Sequence, residues 1–322
     1  MNGPGEILPE AARRFGSKTA LVTPGRTLTY AELDDLSDRV GSWLAGRGIA
    51  PGDRVSIYSQ NRWEWIVAYH GALKAGAVVN PVNVMLTGEE LRYVLADCGS
   101  SLLFAAGDKL DQLAGLVDEL AALRDVVGFE PSTNATAEFA DVIAAPAADS
   151  FTPATPVAGD PSTIGYTSGT TGHPKGAVQS QQAVLLNCRA TADMHGRTAD
   201  DVVVTALPAP HVYGNVVINS TFMVGGTVVL MERFDPGHAI RLVDEHQATI
   251  FEGVPAMYSM MLSDPACADA SLSSITRSTV GGQTIALSTI EAWQHKTGAP
   301  LIELWGMTEL AGLGSTHWHD QA

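Results

Sequence analysis

Apolar positions along this chain recur at two spacings, and the two alternate. Leu33, Leu36, Val40 and Leu44 fall at helical intervals and so share one face of a helix. Thr29-Tyr30-Ala31-Glu32 precedes them in capping-box order, a hydroxyl followed three residues later by a glutamate. Gly46 and Gly48 supply the stop. Thr87-Gly88-Glu89-Glu90 repeats the capping pattern and opens a helix through Cys98. Residues 61–75 predict a third, apolar-rich helix that ends at Gly76. Compact apolar runs at 54–59, 77–79, 101–105 and 125–129 have strand length. A leucine- and alanine-rich helix is expected between the last two.

Residues 144–161 are rich in Ala, Pro, Thr and Asp and read as an exposed linker. Beyond them the alternation resumes, with strands expected at 163–167, 202–205, 227–230, 248–252, 278–281 and 301–304. Asp235 followed by Pro236 marks another helix start. Strands alternating with helices predict an α/β fold with mostly parallel sheets covered by helices. The expected division is a first α/β region over 1–150, partly shared with the second, a linker at 151–161 and a second α/β region over 162–322.

The densest chemistry lies directly after the 163–167 strand. Ser168-Gly169-Thr170-Thr171-Gly172-His173-Pro174-Lys175-Gly176 packs glycines, hydroxyls and one lysine into a single turn. Bare backbone N–H groups, hydroxyls and an ammonium together cradle an anion, and a polyphosphate is the natural guest. The order differs from the ATPase loop Gly-x-x-x-x-Gly-Lys-[Ser/Thr], because His173 and Pro174 separate Gly172 from Lys175. Gly281-Gly282-Gln283 and Trp305-Gly306-Met307-Thr308-Glu309 each follow an expected strand. In open α/β sheets ligands sit beyond the carboxyl ends of the strands, so the three segments are expected to converge.

Composition narrows the partners. The net charge is −16, from 35 acidic against 19 basic residues, which repels nucleic acid and anionic membrane surfaces. No apolar run reaches transmembrane length. The first residues lack the basic and apolar regions of a signal peptide. Cys98, Cys188 and Cys267 are far apart and suit buried thiols in a reducing cytoplasm. His317-Trp318-His319 has too few ligands for a metal site and reads as a solvated tail. The stretches 211–224 and 251–262, with Met223, Met257, Met260 and Met261, suit either a plastic hydrocarbon pocket or plain core packing.

The string Tyr166-Thr167-Ser168-Gly169-Thr170-Thr171-Gly172-His173-Pro174-Lys175-Gly176 resembles the signature loop of the adenylate-forming superfamily, which includes the acyl-CoA synthetases. Pro208 to Gly214 is similar to that superfamily's Pro-x-x-His-x-aromatic-Gly segment, and 305–309 to its aromatic-Gly-x-Thr-Glu segment. The resemblance runs from about Ala11 to Ser315. It implies the N-terminal α/β domain of an acyl-CoA synthetase, with two related mostly parallel sheets and with the barrel and the C-terminal lid largely absent. It further implies a ligase that joins a carboxylic acid, of fatty-acid type first, to CoA through an acyl-adenylate.

The implied cofactors and partners are ATP, Mg²⁺, CoA and the carboxylate, and self-association stays open. Thr167 through Gly172 and Lys175 would hold the phosphates. Gly281, Gly282, Gln283, Trp305, Gly306 and Met307 would pack around adenine and the substrate head. Thr308 would contact the α-phosphate, Glu309 would hold Mg²⁺, and His211 would line the acyl pocket. No Thr-Gly-Asp segment, hinge or late lysine follows Glu309, so the chain by itself is expected to bind nucleotide weakly and turn over poorly. A peptide-synthetase adenylation domain and a non-catalytic nucleotide-binding remnant are the competing readings. The first is disfavoured because no acid lies between His211 and Met231.

Overall fold

The computed structural model describes residues 1–110, 113–115, 119–167 and 173–321. The chain opens with helix α1 (Ile7–Phe15), a hairpin of β1 (Thr19–Thr23) and β2 (Arg26–Thr29), and helix α2 (Tyr30–Gly46). There follow β3 (Arg54–Tyr58), α3 (Trp63–Lys74), β4 (Val78–Pro81), α4 (Gly88–Cys98), β5 (Ser100–Ala105), β6 (Asp125–Gly128) and β7 (Ala137–Glu138). A second hairpin, β8 (Pro161–Thr167) with β9 (Lys175–Ser180), leads into α5 (Gln181–Met194) and β10 (Val202–Thr205). The remainder runs α6 (Val212–Val224), β11 (Thr227–Leu230), α7 (Pro236–Glu245), β12 (Ile250–Gly253), α8 (Pro255–Ser263), β13 (Arg277–Val280), α9 (Leu287–Thr297), β14 (Leu301–Met307) and β15 (Gly312–Thr316).

Local chemistry accounts for the helix starts. Both capping boxes form: Thr29 and Glu32, and Thr87 and Glu90, each exchange side-chain-to-backbone hydrogen bonds in both directions. Asp235 caps α7 by accepting from the His238 N–H at 2.7 Å. Leu33, Leu36, Val40 and Leu44 are buried, as their spacing predicts. The leucine-rich helix expected before β6 falls partly on 111–112 and 116–118, outside the described residues. One turn, Gly107–Leu110, is helical at its start.

One sheet has the strand order β15-β14-β13-β12-β10-β11-β1-β2 and the other β7-β6-β5-β3-β4-β8-β9. Neighbours are parallel except the pairs β1–β2, β14–β15 and β8–β9 at the sheet ends. Interior strands such as β5, β11, β12 and β13 are buried along their whole length, as strands covered on both faces must be. The main core joins apolar residues of both sheets, including Ile57, Phe104, Leu21 and Val228, to α1, α2, α3 and α6. These helices fill the layer between the sheets. Helices α7, α8 and α9 cover the other face of the first sheet through Val243, Tyr258 and Trp293. Helix α4 covers the other face of the second through Leu91 and Leu95.

Sheet membership does not follow the expected division at 151–161. The β8–β9 hairpin, which lies beyond that stretch, pairs with β4 in the sheet built from the N-terminal half. The β1–β2 hairpin near the N-terminus pairs with β11 in the other sheet. Edge strands explain the difference. Strand β9 reads Lys-Gly-Ala-Val-Gln-Ser, with half of its residues exposed, so it lacks the apolar run that marks an interior strand. All three cysteines are buried and free, and burial pushes the Cys188 thiol up to about 12.

Candidate functional site

The β8–β9 hairpin presents the glycine-rich loop. Thr167 pairs with Lys175 in its last register position, so Lys175 opens β9 and stands exposed at the loop's base. Ser168 to Gly172 lie outside the described residues. Helix α4 supports the base of this loop from one side. The Tyr93 ring stacks on His173 with centroids 4.9 Å apart, and Tyr166 Oη donates to Asp97 Oδ2 at 2.5 Å. Burial and the Asp97 carboxylate push the Tyr166 phenol well up, so it stays protonated and keeps donating.

The Thr308 turn meets the same hairpin. Gln179 Nε2 on β9 donates to the Thr308 carbonyl at 2.7 Å. Gly165 on β8 faces Thr308 so closely that a Cβ there would stand 2.6 Å from Thr308 Cγ2. A second amide fixes the far side of the turn. Asn187 on α5 donates to the Leu310 carbonyl at 2.8 Å and accepts from the Leu313 N–H at 2.6 Å. Gly306 on β14 packs on the backbone of β15, where a Cβ would lie 2.2 Å from the Gly312 carbonyl oxygen. Glu309 and Met307 are exposed, and Trp305 is 58 % exposed, leaving a flat indole face open.

His211 is the N-cap of α6. Its Nδ1 accepts from the Tyr213 N–H at 3.2 Å, which leaves Nε2 to carry the proton. Desolvation by its neighbours lowers its pKa, although part of the residue stays exposed. The segment that delivers it hangs on Asn61, at the turn before α3. The buried Asn61 amide accepts from the Ala209 N–H at 2.7 Å and donates to the carbonyls of Leu207 and Met231, each at 3.0 Å.

These elements enclose a cavity of about 400 Å³. Its wall joins Met85, in the turn after β4, and Thr163, Tyr166 and Gln179 of the β8–β9 hairpin to Leu207, His211, Gly282 and Thr308 and to Tyr213 and Asn215 of α6. A smaller hollow of about 40 Å³ adjoins it between His211, Gly282, Leu304 and Gly306. No Asp, Glu, Lys or Arg side chain is among the described residues of either wall. The Tyr213 phenol is desolvated and hydrogen-bonded to Thr279 Oγ1 at 2.8 Å.

The structure thus brings Thr308, His211 and Gly282 to one cavity with the strands that carry the loop, whereas Lys175, Gln283, Trp305 and Glu309 are not part of the cavity wall. The methionine expectation resolves toward packing: Met261 and Met257 join the core outside the first sheet, Met223 joins the main core and Met260 is exposed. His317, Trp318 and His319 are exposed, as expected of a solvated tail, and the His319 N–H donates to the Met194 carbonyl at 2.9 Å. Sequence reasoning missed Asn61, Gln179, Asn187 and Asn215. Each is a single amide in a stretch without a motif, which is too common to stand out.

The chain is similar to known proteins over nearly its whole length. The family model described as AMP-binding enzyme matches residues 8–322. Indoleacetate–CoA ligase of Aromatoleum aromaticum is 34% identical over 298 residues, covering 91% of this chain and 57% of the relative. Long-chain-fatty-acid–CoA ligase of Bacillus subtilis is 29% identical, covering 94% and 59%. The crystal structure of ATP-bound MatB from Rhodopseudomonas palustris superposes with a TM-score of 0.88 at 29% identity, covering 100% of this chain and 63% of that one. The chain therefore spans less than two thirds of the length of each of these proteins.

Proposed function

The chain belongs to the AMP-binding enzyme family, and from that premise we propose that it carries the nucleotide- and acid-binding half of a carboxylate–CoA ligase. The observation that carries the reading is the meeting of Gln179 and Gly165 with Thr308. It joins the anion-cradling hairpin to the Thr308-Glu309 turn beside a cavity without charged walls.

In this reading ATP lies across the hairpin. The backbone and hydroxyls of Thr167, Ser168, Gly169, Thr170, Thr171 and Gly172, with the Lys175 ammonium, hold its phosphates. Adenine rests between the Trp305 face and Gly281-Gly282-Gln283, with Gly306 and Met307 beneath it. The acid enters the cavity with its carboxylate near His211 and Thr308. A carboxylate oxygen attacks the α-phosphorus, a P–O bond forms, and the bond to the bridging oxygen breaks to release pyrophosphate. The thiol sulfur of CoA then attacks the acyl carbon and expels AMP. Hydrogen-bond donors fixed in place before the reaction are what stabilise the developing charge. The Thr308 hydroxyl is such a donor, because Gln179 and Asn187 hold its turn from two sides. Glu309, an exposed oxygen ligand beside that turn, fits Mg²⁺, which takes few protein ligands alongside phosphate oxygens and would neutralise phosphate charge when bound.

The uncharged cavity favours an acid with an apolar or neutral tail, whether fatty or aryl, over an amino acid. The relatives' named substrates, indoleacetate and long-chain fatty acids, span that range. The test is calorimetric titration of the chain with ATP and with an acyl-sulfamoyl adenosine, a stable mimic of the acyl-adenylate. The mimic is expected to bind at least about a hundredfold more tightly than the free acid. Absence of binding by both nucleotides would overturn the proposal.

A further inference from the structure

Lys175 opens a strand that has a sheet neighbour on one side only. Strand β9 ends its sheet, and Lys175 and Gly176 at its start are exposed. The end of an edge strand frays readily unless something else holds it. Helix α4 supplies contacts on both sides of Lys175. Before it in sequence, His173 stacks on Tyr93 with ring centroids 4.9 Å apart and planes 20° from parallel. After it, the Tyr166 ring covers Gly176 so closely that a Cβ there would stand 3.1 Å from the ring's Cζ. Tyr166 Oη in turn donates to Asp97 Oδ2 at 2.5 Å. Tyr93 and Asp97 are four residues apart on α4, so one helix face makes both contacts.

The helix itself does not account for either residue. Asp97 lies in the last turn of α4, where the helix dipole disfavours a carboxylate. Tyr93 is half-buried and stands outside the core that Leu91 and Leu95 of the same helix join. We propose that Tyr93 and Asp97 are positioning residues for the phosphates of ATP: through His173 and Tyr166 they fix the backbone that carries the Lys175 ammonium. This inference rests on the reading of the β8–β9 hairpin as the ATP site. A group held in place before binding loses less entropy when the ligand arrives. The gain falls on the phosphates that Lys175 meets, whereas the single phosphate of AMP goes to Thr308 in the same reading.

The experiment titrates the full chain with ATP and with AMP by calorimetry. Tyr93→Leu and His173→Ala are each expected to weaken ATP about tenfold and to leave AMP within about twofold. The double variant is expected to lose no more than either alone, because both remove the same stack. Asp97→Leu is expected to match Tyr93→Leu. Tyr93→Phe keeps the ring, and Asp97→Asn keeps an oxygen that accepts from Tyr166, so both are expected to bind ATP as wild type does. In a Lys175→Ala background, Tyr93→Leu is expected to cost ATP nothing further. His173→Ala removes only an exposed side chain and carries the test should a leucine variant fail to fold. Wild-type ATP affinity in His173→Ala, equal losses of ATP and AMP, or a further loss in the Lys175→Ala background would overturn the positioning role and leave the ATP site standing. If wild type binds neither nucleotide, the ATP-site reading itself fails, and the positioning role with it.

Discussion

The Gln179 side chain reaches the Thr308 carbonyl across 129 residues of sequence at 2.7 Å. One hydrogen bond thus sets the distance between a hairpin of one sheet and a turn of the other. Gln179→Ala leaves a part-buried carbonyl without its donor and is expected to cost about 1 to 3 kcal/mol. ATP affinity should fall with it, because the Thr308-Glu309 turn loses its position. Thermal unfolding and nucleotide titration of the same variant check both. Unchanged ATP affinity in a destabilised protein would show the bond to be structural alone.

Lys175→Ala should separate the two properties in the opposite sense. The side chain is exposed at the loop's base, so its loss is expected to leave stability within about 0.5 kcal/mol. ATP affinity should drop about tenfold or more with one charge-assisted contact removed. Calorimetry with ATP decides it, and an unaltered dissociation constant would remove Lys175 from the phosphate site.

Gly306→Ala tests the contact of β14 with β15. The added methyl would stand 2.2 Å from the Gly312 carbonyl oxygen, and backbone cannot yield as a flexible side chain can. The strand pair must part, at a cost of about 1 to 3 kcal/mol. A lowered unfolding temperature with weaker binding of adenine nucleotides is expected, and wild-type behaviour in both would contradict the packing described.

Stability should fall on the acid side through two buried histidines. Burial lowers the pKa of His70 and of His195 to about 3, whereas an unfolded histidine titrates near 6.5. Between those values the unfolded chain binds more protons than the folded one, so stability declines as pH drops from about 6.5 toward 3. Neither ring nitrogen of His70 has a hydrogen-bond partner among the described residues. His70→Leu is therefore expected to resemble wild type at pH 8 and to outlast it at pH 5. Urea titrations at the two pH values check this, and parallel acid losses in both proteins would refute it.

The parts of the fold that a sequence can announce are those with a local cause. Thr29 and Thr87 announce their helices because a cap is made by residues three apart. Strands β10 and β11 announce themselves because buried parallel strands are continuous apolar runs. Strand β9 does not, since its Lys-Gly-Ala-Val-Gln-Ser run is defined by its partner β8 and not by its own composition. The site divides the same way. Thr308 and His211 stand in ordered motifs, but Asn61 acts through backbone groups of Leu207, Ala209 and Met231. No local pattern reports a bond to a residue more than a hundred positions away. Which hairpins cross between the sheets on either side of 151–161 is hidden for the same reason, because sheet pairing is a long-range property.

The exchange of hairpins between the sheets has a consequence for synthesis on the ribosome. Strand β1 emerges early, yet its parallel neighbour β11 lies about two hundred residues later. The β1–β2 hairpin must stay uncommitted through much of translation, while β3 to β6 assemble around it. The other sheet reaches its last strand only when β9 has left the exit tunnel. Pairings of such separation form slowly, and waiting strand edges invite wrong partners. A nascent chain paused before residue 227 would therefore hold an N-terminal hairpin with no sheet to join, a natural target for a holding chaperone.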